Sequence, residues 1–215
     1  MQIALNAFLE ELKNDHENLA VALFGSHAKG TNRPDSDIDL LVITKNTTKR
    51  GIEKKHGREF EIVYATATGT ESYYKNDPDN FVRFWQHAKI LFDPENILVK
   101  FQQDAHTLSK QKKKPMSEDK IKHSIFNQTD QLHFINSQID KDPANAILML
   151  YNLLELTLEF YFDYHQIWKP APKEMLKTLE KINFPLAQKA RELLLENSIN
   201  KKIILFEELI KDLGI

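Results

Sequence analysis

The sequence predicts an α+β unit, a mixed sheet with flanking helices, followed by an all-α helical bundle. Two observations lead there. Up to residue 110, short apolar runs alternate with helical stretches, the pattern of a sheet with helices packed on it. Beyond a basic run of Lys110, Lys112, Lys113 and Lys114, closed by Pro115, strand-like patterning stops. Apolar residues then recur at helical spacing, and no glycine occurs until Gly214. The expected organisation is a first domain over residues 1–110, a solvated linker over 111–117 and a bundle over 118–215.

Taken in order, residues 2–15 place Ile3, Phe8, Leu9 and Leu12 on one helical stripe. Residues 21–24 are an apolar run of strand length that stops abruptly at Gly25-Ser26. A short helix should start there, limited by Asn32-Arg33-Pro34. Residues 37–43 form the second strand. Residues 44–58 are polar and predict a loop or weak helix. Residues 60–65 form the third strand, with Phe60, Ile62 and Tyr64 alternating against Glu59, Glu61 and Val63. A fourth strand covers residues 89–92, and a helix follows over 94–108. In the second half, Ile121, Ile125, Leu132, Ile135 and Ile139 mark a helix over 118–140. Asp142-Pro143 supplies the cap and first turn of a long helix reaching His165. Further helices are expected over 173–183, 185–197 and 199–213, giving a bundle of four or five.

The chemistry is concentrated in residues 20–44, where the spacing is G-S-x10-D-x-D: Gly25-Ser26, ten residues, then Asp37-Ile38-Asp39. Asp37 and Asp39 share one face of a strand, where two carboxylates repel unless a divalent cation lies between them. Gly25-Ser26, at a strand-to-helix turn, offers backbone N–H groups and a hydroxyl to phosphate. A phosphate cradle facing a carboxylate pair is the apparatus of metal-assisted phosphoryl or nucleotidyl transfer. Capping or turn roles explain isolated Asp and Ser residues, but not a carboxylate at Asp39 that runs directly into the apolar stretch 40–43.

These residues, with Arg33-Pro34-Asp35-Ser36 between them, resemble the signature of the DNA polymerase β-like nucleotidyltransferase superfamily, and most of all its minimal branch, which includes antibiotic nucleotidyltransferases. The resemblance is strongest over residues 20–44. It implies a nucleoside triphosphate substrate, with ATP expected, and two Mg²⁺ ions held by Asp37 and Asp39. Gly25 and Ser26 would bind the nucleotide, Gly30 would allow close backbone approach, and Lys29 or Arg33 would neutralise phosphate. Glu61 is the expected third carboxylate, as metal ligand or general base, with Glu59 its competitor on the same face. In the bundle, Glu155, Glu159 and Asp163 recur every four residues without Lys or Arg at i±4. They are read either as a solvated face or as an anionic acceptor-binding wall, because some antibiotic nucleotidyltransferases bind polycations between a catalytic and a helical domain. His27 reads as a phosphate contact or, more simply, as a solvated loop residue, and Trp168 and the Tyr73, Tyr74, Trp85, His87 cluster as packing.

The remaining composition narrows the partners. The chain has no cysteine, which excludes disulfides and thiolate chemistry. No run approaches the roughly eighteen apolar residues of a membrane span, and the N-terminus lacks signal-peptide features, so a cytoplasmic location is expected. Residues 1–115 hold 17 Lys and Arg against 16 Asp and Glu, and residues 116–215 hold 12 against 15. This carries no strong nucleic-acid signal. The leading expectation is transfer of a nucleoside monophosphate to a hydroxyl of a small molecule, such as an aminoglycoside-like antibiotic. One alternative is a protein-modifying, adenylylating enzyme of antitoxin type. The bundle itself lacks the R-x4-6-H motif of the helical ribonuclease toxins, since Arg191 is its only arginine and no histidine follows. A non-catalytic nucleotide-binding module is a further alternative, and a homodimer sharing the site is compatible with the sequence.

Overall fold

The structure, a computed structural model, describes residues 2–213; Met1, Gly214 and Ile215, at the outer ends of the expected domains, lie outside them. The chain divides into two compact units, residues 1–111 and 112–215.

The first unit runs α1 (Gln2–Asn14), β1 (Asn18–Phe24), α2 (Gly25–Lys29), β2 (Ile38–Thr44), β3 (Lys49–Lys55), β4 (Arg58–Thr66), α3 (Ala67–Asn76), α4 (Pro78–Trp85), β5 (Lys89–Phe92) and α5 (Ile97–Ser109). The strands form one sheet in the order β3-β4-β2-β1-β5. β2 and β4 are parallel, and the other neighbours are antiparallel. Because side chains alternate along a strand, every strand but the edge strand β3 feeds two cores. Val21, Leu23, Ile38, Leu40, Val42, Phe60 and Ile62 pack with Ala4, Leu5, Phe8 and Leu12 of α1. Ala20, Ala22, Leu41 and Ile43 pack with Tyr74, Phe81, Trp85, Leu98 and Phe101 on the opposite face. Burial on both faces is why β1 and β2 read as continuous apolar runs.

Three sequence expectations change here. Ile3 is 87% exposed, because the buried stripe of α1 is centred on Ala4, Leu5, Phe8 and Leu12. The polar stretch expected as a loop holds β3, an edge strand. Lys55 pairs with Arg58 across a two-residue turn in which His56 (φ 49°) and Gly57 (φ 75°) both adopt the left-handed region. That is the primed-turn geometry that matches the twist of a hairpin. The charges of β3 also suit an unpaired edge. Finally, α3 and α4 stand where sequence reading saw only aromatic residues. Thr66 caps α3 by accepting from the Gly69 N–H, and Asp77 caps α4 by accepting from Asn80, with Pro78 in its first turn.

The second unit contains α6 (Glu118–Gln138), α7 (Pro143–Tyr164), a 3₁₀ turn at Pro172–Glu174, α8 (Met175–Ile182), α9 (Phe184–Leu195) and α10 (Ile199–Lys211). Asp142 caps α7 as expected, its Oδ1 accepting from the Asn145 N–H at 3.1 Å. The core joins Leu150, Leu153, Leu158 and Phe162 of α7 to Ile135, Leu179, Leu186, Leu193 and Phe206. Ile125 is exposed instead, and the inner side of α6 carries Gln128, which accepts from the buried Thr157 hydroxyl at 2.8 Å. Lys113 is no solvated linker residue. Its side chain is only 10% exposed, is paired with Asp163 and lies 5.8 Å from the Trp168 ring centroid. No helix among the described residues is long and apolar enough to cross a membrane.

Candidate active site

The sheet register brings the sequence motif together. Phe24, the last residue of β1, stands opposite Asp39 on β2, and Asp39 stands opposite Glu61 on the parallel strand β4. Asp37, two residues before Asp39, lies at the approach to the same strand. One carboxylate oxygen from each of Asp37, Asp39 and Glu61 lies within 4.8 Å of the others, and all three residues are half-buried. The face that carries Asp39 and Glu61 continues as Leu41, Ile43, Val63 and Ala65 into the core under α3–α5. Glu61 therefore does not face away from a core along the whole strand. It occupies the end of a core face.

A cluster of three carboxylates is repulsive on its own, and its donors are all hard, anionic oxygens. This is the donor set that Mg²⁺ favours, with room left for water and phosphate. Glu59 does not join it: it is exposed and stands opposite Lys54. Glu61 has a further partner from β3. Arg50 Nε donates to Glu61 Oε1 at 2.7 Å, and Arg50 Nη2 approaches the same oxygen. Arg50 is a diagonal neighbour of Glu61 in the ladder, within reach of a long side chain. A loop or weak helix over 44–58 hides this partner; the His56-Gly57 pair between charged, alternating segments is the sequence signal that reveals it.

The glycine of the motif answers to a close neighbour. Gly25 has φ 68°, and a Cβ there would stand 2.5 Å from Asp39 Cγ. Ser26 follows in the first turn of α2, half-buried. Gly30 (φ 72°) ends this short helix by donating its N–H to the Ser26 carbonyl, with open space where a side chain would go. The left-handed cap explains its glycine. Lys29 is half-buried, whereas Arg33 is exposed and sits 3.3 Å from Asp35 in the connecting loop. That loop is tied down by Arg33 N–H to Ser36 Oγ (2.9 Å), by Arg58 to the Pro34 carbonyl (3.2 Å) and by His27 to the Ser36 carbonyl (3.3 Å). His27 is buried, contrary to the solvated role expected of it.

Glu155, Glu159 and Asp163 lie on α7 in the second unit. Lys169 Nζ is 3.5 Å from both Glu159 and Asp163, and Lys113 is paired with Asp163. The cations come from outside the helix, where a search at i±4 cannot find them. Glu155 is exposed. Arg191 is engaged with Glu180 at 2.7 Å.

Comparison with known proteins agrees with the geometry. Residues 5–124 match the family model of the nucleotidyltransferase domain. The chain belongs to this family. The matched stretch holds every residue of the candidate site, from Gly25 to Glu61. A Methanocaldococcus jannaschii protein named "Putative protein adenylyltransferase MJ1305" is 44% identical over 52 residues, 23% of this chain and 35% of that relative. The chain thus spans about a third of the length of the curated relative it matches. Among solved structures, a nucleotidyltransferase-like protein from Exiguobacterium sibiricum 255-15 is similar with a TM-score of 0.57 at 12% identity, covering 99% of this chain and 74% of that one. This is a likeness of fold. A toxin–antitoxin crystal structure with AMP-PNP reaches a TM-score of only 0.32 at 14% identity, over 48% of this chain and 84% of that chain.

Proposed function

We propose that this nucleotidyltransferase moves AMP from ATP to a hydroxyl group, using Asp37, Asp39 and Glu61 as metal ligands. The observation that carries the reading is the convergence of these carboxylates beside the Gly25-Ser26 turn. Two Mg²⁺ ions bound there would neutralise the triphosphate and ease ionisation of the acceptor hydroxyl. The chain's own residues do the rest. Gly25 and Ser26, helped by Lys29 and Arg33, hold the phosphates. Asp37 and Asp39 would hold those ions beside the α-phosphate. The acceptor oxygen forms a bond to the α-phosphorus, the bond to the β-phosphate bridging oxygen breaks, and pyrophosphate leaves. Glu61 takes the hydroxyl proton. Residues 1–110 act as the catalytic domain, joined through 111–117 to residues 118–215, which recognise the acceptor.

For the acceptor, we favour a protein hydroxyl. The name of the M. jannaschii relative supports it, and pairing of Glu159 and Asp163 with lysines weakens the case for a cation-binding wall. The second reading, a small cationic acceptor bound at Glu155, Glu159 and Asp163, is supported by the exposed Glu155 and the acidic spacing of α7. The test is incubation with α-³²P-labelled ATP, GTP, CTP and UTP, Mg²⁺, cell extract and an aminoglycoside panel, with Asp39→Asn as control. A labelled protein band with ATP supports the first reading, and a labelled small molecule the second. Absence of label from every triphosphate overturns the transfer reaction.

A further inference from the structure

The two ring nitrogens of His27 have different fates. The residue is 5% exposed. Nε2 lies 3.3 Å from the Ser36 carbonyl oxygen, and because a carbonyl only accepts, Nε2 must carry the hydrogen. Nδ1 is then a lone-pair acceptor, and it is buried without a hydrogen-bond partner. A buried acceptor left unsatisfied lowers stability, so an apolar side chain of similar size would suit the fold better. Among the described residues, the one hydrogen bond the imidazole makes goes to the residue before Asp37. The Ser36 carbonyl and the Asp37 nitrogen share a single peptide plane, so fixing one sets the direction in which the chain enters Asp37. Arg58 braces the same loop at Pro34, but from a more exposed position.

We propose that His27 is a positioning residue for the carboxylate site: its Nε2–H holds the Ser36–Asp37 peptide and so sets the Asp37 carboxylate at metal-binding distance from Asp39 and Glu61. The inference rests on the assignment of these three carboxylates as the metal ligands. A purely structural histidine would be indifferent to metal. A positioning histidine trades fold stability for ligand geometry, as the partners that orient metal ligands do elsewhere.

The test measures Mn²⁺ binding by calorimetry, with melting temperature recorded with and without metal, for the wild type, His27→Leu and His27→Gln. The glutamine amide nitrogen reaches about where Nε2 stands. His27→Leu should bind Mn²⁺ roughly 10- to 100-fold more weakly, while its metal-free melting temperature stays level or rises. His27→Gln should recover most of the affinity. The Mg²⁺ concentration for half-maximal activity should follow the same order, with kcat restored at saturating metal. If His27→Leu does not fold, His27→Asn takes its place, since its shorter amide keeps polarity but falls short of Ser36. Equal Mn²⁺ affinity in the wild type and in His27→Leu or His27→Asn overturns the positioning role alone. A wild type that binds no Mn²⁺ overturns the metal site itself.

Discussion

The Asp39 carboxylate fills the space that a side chain at residue 25 would need: a Cβ there would stand 2.5 Å from Asp39 Cγ and 3.1 Å from Asp39 Cβ. Glycine is thus required twice, for φ 68° and for the approach of a carboxylate. Gly25→Ala should cost about 1–2 kcal/mol through the dihedral alone. It should also displace Asp39, lowering transfer by roughly a hundredfold, as a shift of about 1 Å can. Gly30→Ala is the control. It shares the positive φ but meets open space, so it should lower the melting temperature while leaving kcat nearly intact. Equal activity losses in the two variants would mean that Gly25 serves only the turn.

Asp37, Asp39 and Glu61 lie within 4.8 Å of one another and repel in the absence of metal. Asp37→Asn should therefore raise metal-free stability, by roughly 1 kcal/mol once solvent screening is allowed for, and Asp39→Asn is its companion in the ligand test. Each should also abolish both transfer and the stabilisation that added Mg²⁺ gives the wild type. Thermal melts across a Mg²⁺ titration decide the matter. A variant that still gains stability from Mg²⁺ as the wild type does would remove that aspartate from the ligand set.

Glu61→Gln should reduce kcat by about a hundredfold or more, the usual worth of a placed acid–base group, whereas the exposed Glu59→Gln should be near wild type. The Arg50–Glu61 pair is a surface pair on the arginine side, with the Arg50 side chain 70% exposed. Arg50→Ala should change stability by less than about 1 kcal/mol. A melting-temperature loss much beyond that would make Arg50 a structural clamp on β3. A large kcat loss in Glu59→Gln instead would overturn the assignment of Glu61 and make Glu59 the base.

Much of the site was legible because its constraints are local in sequence. Gly25-Ser26 and Asp37-x-Asp39 sit at the ends of apolar runs, so strand periodicity gives the shared face of the two aspartates, while alternation on the next strand offers Glu59 and Glu61 alike and only the family resemblance singles out Glu61. What escaped depends on tertiary neighbours. β3 is an edge strand with only Ile52 as a large apolar residue, and Ile52 is exposed, so no burial pattern marks it. With β3 missed, Arg50 could not be aligned with Glu61. The burial of His27 depends on the loop 31–37 folding over α2, which no local pattern encodes. Lys113 and Lys169 reach Asp163 from outside α7, beyond any i±4 rule.

That ion cluster makes its own prediction. Asp163→Asn removes the closest carboxylate partner of the nearly buried Lys113. It should cost roughly 1–2 kcal/mol, less than the loss of a fully buried pair because the aspartate keeps some exposure. Glu155→Gln, on the exposed side of α7, should stay within about 0.5 kcal/mol. If α7 binds a cationic acceptor, a Glu155→Gln/Glu159→Gln double variant should raise the acceptor KM, and the effect should shrink as salt rises. An unchanged KM would assign the acidic stripe to folding and solvation only.

The pH response of the first unit should carry the signature of Glu11, which ties α1 to the β3–β4 hairpin. Its carboxylate accepts from Lys55 Nζ at 3.1 Å and lies 2.6 Å from His56 Nε2. The hydrogen bond from Lys55, then that from His56, hold its pKa below the ordinary value of 4.5. A depressed carboxylate favours the folded state above the unfolded pKa, and this contribution fades as pH falls through the folded value. The wild type should therefore melt above Glu11→Gln at pH 6–7, where the carboxylate is ionised in both states. The gap should narrow only below the unfolded value and close in more acidic solution, because the proton then occupies Glu11 whether the chain is folded or not. Added salt should shrink the gap at pH 7, since the group is fully exposed. A gap that stays constant from pH 7 to pH 2 would assign the effect of the substitution to packing or helix propensity instead of charge.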